Sequence, residues 1–321
     1  MTPPHEDALR QQQPEHDYEF RDALIAGLTS TPKRIPSKYF YDGAGSKLFE
    51  QICALPEYYP TRTELALLRR HVSEITALFG ADVEIVEFGA GAIEKIRPLL
   101  DVAERPLAYI PVDISGPYLR SVAAKLDAEY PDLLVRPVVA DFTQSLPDTI
   151  FSDGARRIGF FPGSTIGNFE PHEAVQFLRQ TAQLVRGGGL LIGVDLVKDP
   201  AILHAAYNDD IGVTAAFNKN LLVRANREGL ANFDPSRFTH YAFYNPVAQR
   251  IEMYLMSSTA QRVTIAGRTL RFAEGEAIHT EWSQKYTVEG FRSLAASAGF
   301  NPRAVWCDSE RLFSIHWLEA V

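Results

Sequence analysis

Cysteine is scarce in this chain of 321 residues: Cys53 and Cys307 are the whole supply. Two thiols allow at most one disulfide and cannot cage a zinc ion by themselves, so a disulfide-built scaffold is excluded. Long apolar runs are also missing. The most apolar short stretch, Gly189 to Val194, stops at Asp195, far below the roughly 20 residues that cross a bilayer. Glu6, Asp7, Glu15, Asp17 and Glu19 stand where an export signal needs a basic start and an apolar stretch, so a cytoplasmic protein without a membrane span is expected. Basic clusters are absent, and 40 acidic against 32 basic residues leave a net charge of −8. Such a surface repels phosphate backbones, and no nucleic-acid or anionic-membrane partner is expected. The eight histidines are scattered, without a His-x-x-x-His pair or a cysteine at ligand spacing, so no metal is expected. Internal repeats and low-complexity linkers are absent as well, and a monomer is the expected state.

What the chain does have is a core: 46% of its residues are hydrophobic and 22% charged, which excludes a disordered tail and suits two domains or one large domain with an insertion. Residues 84 to 196 repeat one rhythm of short β-rich run, turn and amphipathic stretch, the mark of a parallel α/β sheet. Strands are predicted at 84–88, 108–114, 133–139, 157–161 and 189–196, with helical spacing at 92–101, 119–130 and 174–185. A helix at 287–299 followed by strands at 303–307 and 312–317 would close the sheet with a hairpin turning at Asp308 to Arg311. By analogy of fold, this is a class I (Rossmann-like) methyltransferase sheet. Outside it, Thr61-x-x-Glu64 reads as a capping box opening a helix to Leu78, 200–232 reads helical, and 241–244 and 250–256 alternate as strands. The expected division is 1–80, a helical part of a substrate-binding lid; 81–199, the Rossmann-like core; 200–286, an inserted substrate-binding domain; and 287–321, completing the core.

Gly89-Ala90-Gly91 follows the first strand, where missing side chains let a ligand approach the backbone or simply permit a tight turn. A dinucleotide fingerprint wants glycine three residues after the second glycine, and this chain has Glu94. A carboxylate there opposes pyrophosphate but suits S-adenosylmethionine, which carries a sulfonium and an ammonium and no phosphate. Asp113, ending the second strand, can accept both ribose hydroxyls of either cofactor or cap a helix. Asp141-Phe142 follows the third strand, where a carboxylate can accept a hydrogen bond from the adenine amino group while the next amide contacts the ring. Gly163-Ser-Thr-Ile-Gly-Asn168 follows the fourth strand, where class I methyltransferases place the residues facing the acceptor; Asn168 offers both donor and acceptor for that role, or simply serves a turn.

Six segments carry a resemblance to one family: Lys38-Tyr-Phe-Tyr-Asp-Gly-Ala-Gly-Ser46, Leu55-Pro-Glu-Tyr-Tyr-Pro-Thr-Arg-Thr-Glu64, Gly163 to Asn168, Asp195-Leu-Val-Lys-Asp199, Gly212-Val-Thr-Ala-Ala-Phe-Asn218 and Arg250-Ile-Glu-Met253. From about residue 20 onward the chain resembles the histidine N-alpha-methyltransferases of ergothioneine biosynthesis, which convert L-histidine to hercynine with three molecules of S-adenosylmethionine. The resemblance implies Asn168 and Tyr207 at the histidine carboxylate and amine, and Tyr58, Glu281 and Ser283 at the imidazole. It places Tyr41, Phe49, Thr214 and Met253 in the same pocket, with Tyr41 and Tyr58 assisting the chemistry, and Gly89, Lys95, Asp113, Asp141 and Phe142 at the cofactor. The first loop departs from the family's hydroxyl-bearing pattern, with Ala90, Ala92 and Ile93 in those places. Three other readings stay open: a related methyltransferase for another small amino acid or amine, an NAD-linked oxidoreductase, and a non-catalytic binding module.

Overall fold

Strand β2 explains the centre of the fold, because every residue from Val83 to Phe88 is buried, and a strand buried on both faces belongs inside a parallel sheet covered by helices. The computed structural model describes residues 15–91 and 93–320; residues 1–14 of the expected first domain, and Ala92 of the first loop, lie outside them. In chain order the helices are α1 (Glu15–Thr29), α2 (Gly43–Cys53), α3 (Tyr59–Phe79), α4 (Ile93–Leu100), α5 (Gly116–Glu129), α6 (Pro171–Leu184), α7 (Pro200–Tyr207), α8 (Val213–Arg227) and α9 (Val288–Ser297). The strands before the inserted region are β1 (Lys33–Arg34), β2, β3 (Ala108–Asp113), β4 (Leu134–Val135), β5 (Val138–Val139), β6 (Arg156–Phe161) and β7 (Gly189–Asp195). After it come β8 (Phe238–Asn245), β9 (Arg250–Ser257), β10 (Gln261–Ile265), β11 (Arg268–Phe272), β12 (Ala277–Gln284), β13 (Phe300–Cys307) and β14 (Phe313–Ala320).

The chain divides into two compact units. The larger holds residues 53–206, 244–251 and 282–321, and its eight-stranded sheet runs β13-β14-β7-β6-β2-β3-β4, with β5 also on β3. Strands β2 to β7 are parallel, and β14 enters antiparallel between β7 and β13. That is the class I, Rossmann-like order. Alternation sends Ile85, Tyr109, Phe160 and Leu191 into one core, with Leu68 and Phe79 of α3 and Ile96 of α4. Their strand neighbours Val86, Ile110, Phe161 and Ile192 enter the other, with Phe177 of α6 and Phe291 of α9.

The smaller unit holds residues up to 52 together with 207–243 and 252–281. Its strands β8, β9 and β12 form a sheet in the order β1-β12-β9-β8, and β10 and β11 make a separate hairpin. Phe40 stacks on Phe217 of α8 with ring centroids 4.4 Å apart, while Phe238 meets Phe233 and Phe272 edge to face.

Several local expectations are corrected. The third strand breaks into β4 and β5 around Arg136-Pro137, since proline has no N–H for the ladder. The run 200–232 is two helices, parted where Gly212 takes a left-handed φ of 77°. Helix α3 begins at Tyr59, so Thr61 and Glu64 form no capping box; the box stands at Glu170 and Glu173 of α6. The β10–β11 hairpin escaped the sequence reading.

The fully buried Trp317 of β14 lies 5.5 Å from the Phe79 ring. Trp317→Ala is expected to cost the larger unit about 3–5 kcal/mol, seen as a lower urea midpoint by far-ultraviolet circular dichroism; a change within about 0.5 kcal/mol, the scale of a surface substitution, would contradict this packing.

Candidate active site

The carboxyl edge of the parallel sheet is where neighbouring strands deliver side chains to one place. Phe88 of β2 pairs with Val112 of β3, and Val112 with Val138 of β5, so Gly89, Asp113 and Asp141 follow three strand ends in register. Amides of Gly89 and Ala90 both donate to the Val112 carbonyl, at 2.9 and 3.1 Å. Gly89 has a φ of 72°, and a Cβ there would stand 3.4 Å from the Phe142 ring, so glycine keeps the turn open over that aromatic. Asp113 accepts the Ser115 amide at 2.7 Å, and burial pushes its carboxyl above the ordinary range. Asp141 accepts the Thr143 amide and hydroxyl at 3.0 and 2.6 Å. Beneath them Phe142 packs against Phe88, Phe161, Phe169 and Phe177.

The loop after β6 is bound by a second set of buried charges. Gly163 and Ser164 take consecutive left-handed φ values of 79° and 57°, which turns the chain sharply into the short helix Thr165–Asn168. The Gly163 amide donates to both oxygens of Glu64, at 3.0 and 2.9 Å. Lys95 pairs with the same carboxylate at 2.7 Å. Burial disfavours the Lys95 ammonium, but Glu64 outweighs it and its pKa is raised. Lys95, expected at the cofactor, thus reaches the Asn168 loop through Glu64.

Asn168 itself meets the end of β12. Its carbonyl accepts the Trp282 indole N–H at 3.0 Å, and a Cβ on Gly167 would stand 2.8 Å from the Gln284 carbonyl oxygen and 3.5 Å from the Ser283 hydroxyl. Only glycine lets the loop press this close. Asn168 and Ser283, remote in sequence, are brought together here. Below them the Asp195 carboxylate, 1% exposed, pairs with Lys198 at 2.6 Å and Lys285 at 2.7 Å. The Tyr59 hydroxyl lies 2.8 Å from both Asp195 oxygens, and the Asp195 amide donates to Ser164 Oγ at 2.9 Å. Burial works against the Asp195 charge, yet the two lysines hold its carboxyl below the ordinary range. Burial lowers Lys198 to about 8 against the pull of Asp195. Tyr58, buried at the start of α3, donates its amide to the Leu55 carbonyl.

The other expected residues belong to the smaller unit. Tyr41 and Phe49 meet edge to face at 5.6 Å, and both rings lie within 6.0 Å of Phe217. The buried Thr214 opens the same helix, its amide donating to Asp209 at 2.8 Å. The buried Met253 lies on β9, its carbonyl accepting the Thr280 hydroxyl of β12 at 3.1 Å. Glu281 is the next residue on β12 and is also buried. Tyr207 is held through its carbonyl, 2.9 Å from His240 Nε2, while Asn218 Nδ2 lies 2.8 Å from His240 Nδ1. An amide NH₂ only donates, so Nδ1 accepts and Nε2 carries the proton; burial keeps the ring neutral.

A family described as "Histidine-specific methyltransferase, SAM-dependent" matches residues 20–320. A histidine N-alpha-methyltransferase of Mycolicibacterium smegmatis is 46% identical over 294 residues, 90% of this chain and 91% of that protein. Another, from Mycobacterium tuberculosis, is 40% identical over 92% of this chain and 93% of that protein. The chain belongs to this methyltransferase family. A 4-dimethylallyltryptophan N-methyltransferase of Penicillium roqueforti is 25% identical over 89% of each chain. For a histidine-specific methyltransferase the acids at the strand ends fit the cofactor: they can accept its hydroxyl, amino and ammonium protons, and the cofactor has no phosphate for them to repel. Among the described residues no group of three or more histidine, cysteine or acidic side chains could hold a metal ion, and no helix is long and apolar enough to cross a membrane.

Sequence reading missed Glu64, Tyr59, Asp195, Lys198 and Lys285 as contributors to the site, although four of them fall inside the segments that carry the resemblance, and it missed Glu87. A carboxylate in the middle of a strand expected to be buried was the available signal. Glu87 accepts the Tyr109 hydroxyl at 2.6 Å, and burial pushes its carboxyl up to about 8 from an ordinary 4.5, despite Tyr109 and Lys95. A raised carboxyl pKa means that the folded state keeps a proton which the unfolded chain gives up, so this group's contribution is full below pH 4.5 and lost as pH rises toward 8. Glu87→Gln, which keeps the neutral form, is expected to match the wild type at pH 5 and exceed it at pH 8 by roughly 3–4 kcal/mol in urea unfolding. Equal stability at both pH values would mean that Glu87 is ionised in the fold.

Proposed function

We propose that this methyltransferase converts L-histidine to hercynine by three successive N-alpha methylations from S-adenosylmethionine, as a cytoplasmic monomer without a metal, in ergothioneine biosynthesis. The observation that carries the reading is the junction of Asn168 with Ser283 beside three acid- and glycine-bearing strand ends, in a chain of the histidine-specific family. Gly89, Asp113, Asp141 and Phe142 serve the nucleoside: Gly89 leaves room, Asp113 accepts hydrogen bonds from the ribose hydroxyls, and Asp141 accepts one from the adenine amino group beside the Phe142 ring. Lys95 holds the Asn168 loop in place and lies at the cofactor's edge.

Bound S-adenosylmethionine supplies a methyl group on a sulfonium, ready for in-line displacement. The protein therefore aligns an unprotonated amine, excludes water and needs no covalent nucleophile. Asn168 and Tyr207 take the histidine carboxylate and amine. Tyr58, Glu281 and Ser283 take the imidazole, and Phe49, Thr214 and Met253 fill the rest of the pocket. An α-amine is largely protonated near neutrality, at a pKa of about 8, so the site must favour the neutral amine or pass its proton to water before each transfer; Tyr41 and Tyr58 are the residues assigned to help in that step. Their rings then face the growing positive charge, worth roughly 0.5–2 kcal/mol by cation–π attraction. The trimethylated nitrogen has no lone pair, and the reaction ends there.

Incubation with S-adenosylmethionine and a panel of amino acids, followed by mass spectrometry, is expected to give mono-, di- and trimethylated histidine, with leucine and phenylalanine poor acceptors. Preference for another amino acid would leave the methyltransferase and remove the substrate. In calorimetric titration Asp113→Ala is expected to weaken S-adenosylhomocysteine binding by roughly 2–4 kcal/mol, at up to about 2 for each ribose hydrogen bond. Asn168→Ala should instead weaken histidine and spare the cofactor. The reverse pattern in calorimetry would invert the assigned orientation.

A further inference from the structure

Two ammonium groups share the Asp195 carboxylate, although one would balance its charge. Lys198, Tyr59 and Asp195 already form a closed set, with Lys198 Nζ 2.6 Å from Asp195 Oδ1 and 2.7 Å from the Tyr59 hydroxyl. Lys285 is wholly buried all the same, 2.7 Å from Asp195 Oδ2. Taking an extra ammonium out of water costs several kcal/mol, so stability alone gives no account of it. Its other contact gives one: Lys285 Nζ donates to Ser283 Oγ at 2.8 Å.

An ammonium has donors and no acceptor, so this hydrogen bond has one possible direction. Ser283 accepts, and its single proton is left to donate elsewhere. We propose that Lys285 is a positioning residue which, anchored on Asp195, fixes the buried Ser283 hydroxyl as a donor and so selects the acceptor nitrogen of a neutral imidazole. The proposal rests on the reading of Ser283 as an imidazole contact. A neutral imidazole carries one acceptor nitrogen and one N–H. With Ser283 committed to the first, the N–H is left for an acceptor, the role assigned to the Glu281 carboxylate. The anchor is itself fixed: the Asp195 amide donates to Ser164 Oγ, and its carbonyl accepts the Tyr286 amide at 3.0 Å. The register of Lys285 is set by its own amide, which donates to the Gln249 carbonyl at 2.8 Å.

The test is a double-mutant cycle in the full-length enzyme. Lys285→Met leaves Asp195 paired with Lys198, so charge balance is kept. It is expected to raise KM for histidine about tenfold or more, while S-adenosylhomocysteine affinity stays within about twofold. In a Ser283→Ala background the same change should cost less than about threefold, because the hydroxyl it orients is gone. An equal loss in both backgrounds would make Lys285 merely structural and overturn the proposal, as would an unchanged KM. If Ser283→Ala alone leaves histidine kinetics untouched, the reading of Ser283 has failed; if it raises KM and Lys285→Met does not, orientation by Lys285 has failed. A second measurement leaves Lys285 intact and covers a Lys285→Met protein that does not fold. 3-(Pyrrol-2-yl)alanine has a ring N–H and no acceptor nitrogen, so the wild type should bind it about tenfold or more weakly than histidine, and Ser283→Ala should narrow the gap to about threefold. Equal binding by the wild type would show that Ser283 accepts, and the proposal would fall.

Discussion

The buried carboxylate of Asp195 is the constraint on which the segments around the carboxyl end of β7 depend. It closes β7, and through one residue it fixes three segments that sequence keeps far apart: Tyr59 at the start of α3, Ser164 at the start of the Asn168 loop, and Lys285 just past β12. Breaking such a cluster leaves uncompensated buried charge, which is far more damaging than never having built it. The chain is thereby committed to one arrangement of these segments.

Glu64 acts in a comparable way beside the neighbouring strand β6. It takes the Gly163 amide with both oxygens and Lys95 with one, and a side chain at Gly193 on β7 would collide with it. The loop that carries Asn168 is therefore tied at its first residue by Glu64, at its second by Asp195 and at its last by Trp282. A loop fastened three times over six residues is a rigid platform, as required where a small substrate must be held in line with a reacting group.

The architecture of the larger unit was legible because its signals are periodic. Short β-rich runs at 84–88 and 189–194 marked inner strands, and Gly187 to Gly189 ended a helix where expected. Errors gathered where a single residue overrode the pattern. Pro137 split a strand, Gly212 split a helix, and Glu64 resembled a cap because spacing cannot reveal that a carboxylate is buried against Lys95. The edge that carries Gly89, Asp113 and Asp141 was readable since these residues lie at successive strand ends in chain order. The Asp195 cluster was not: apart from Lys198, its side-chain partners lie far off in the chain, Tyr59 136 residues away and Lys285 just past β12, and nothing in either local segment reports them. The smaller unit was harder for a related reason. Its sheet joins β1 to β12, Lys33 to Ile278, a pairing across more than two hundred residues that no local segment reports.

The place of β14 has a bearing on biosynthesis. It pairs with β7 along seven residues, Phe313 with Asp195 through to Glu319 with Gly189, and it is the last element in chain order. A ribosome adding about 5–20 residues per second spends roughly 6–24 s between the two strands. Throughout that interval β7 presents an apolar, unpaired edge, Leu190 to Val194, of the kind that recruits foreign strands. Translation speed over the inserted region and access of chaperones to the nascent chain thus bear directly on how much of this enzyme reaches its sheet intact.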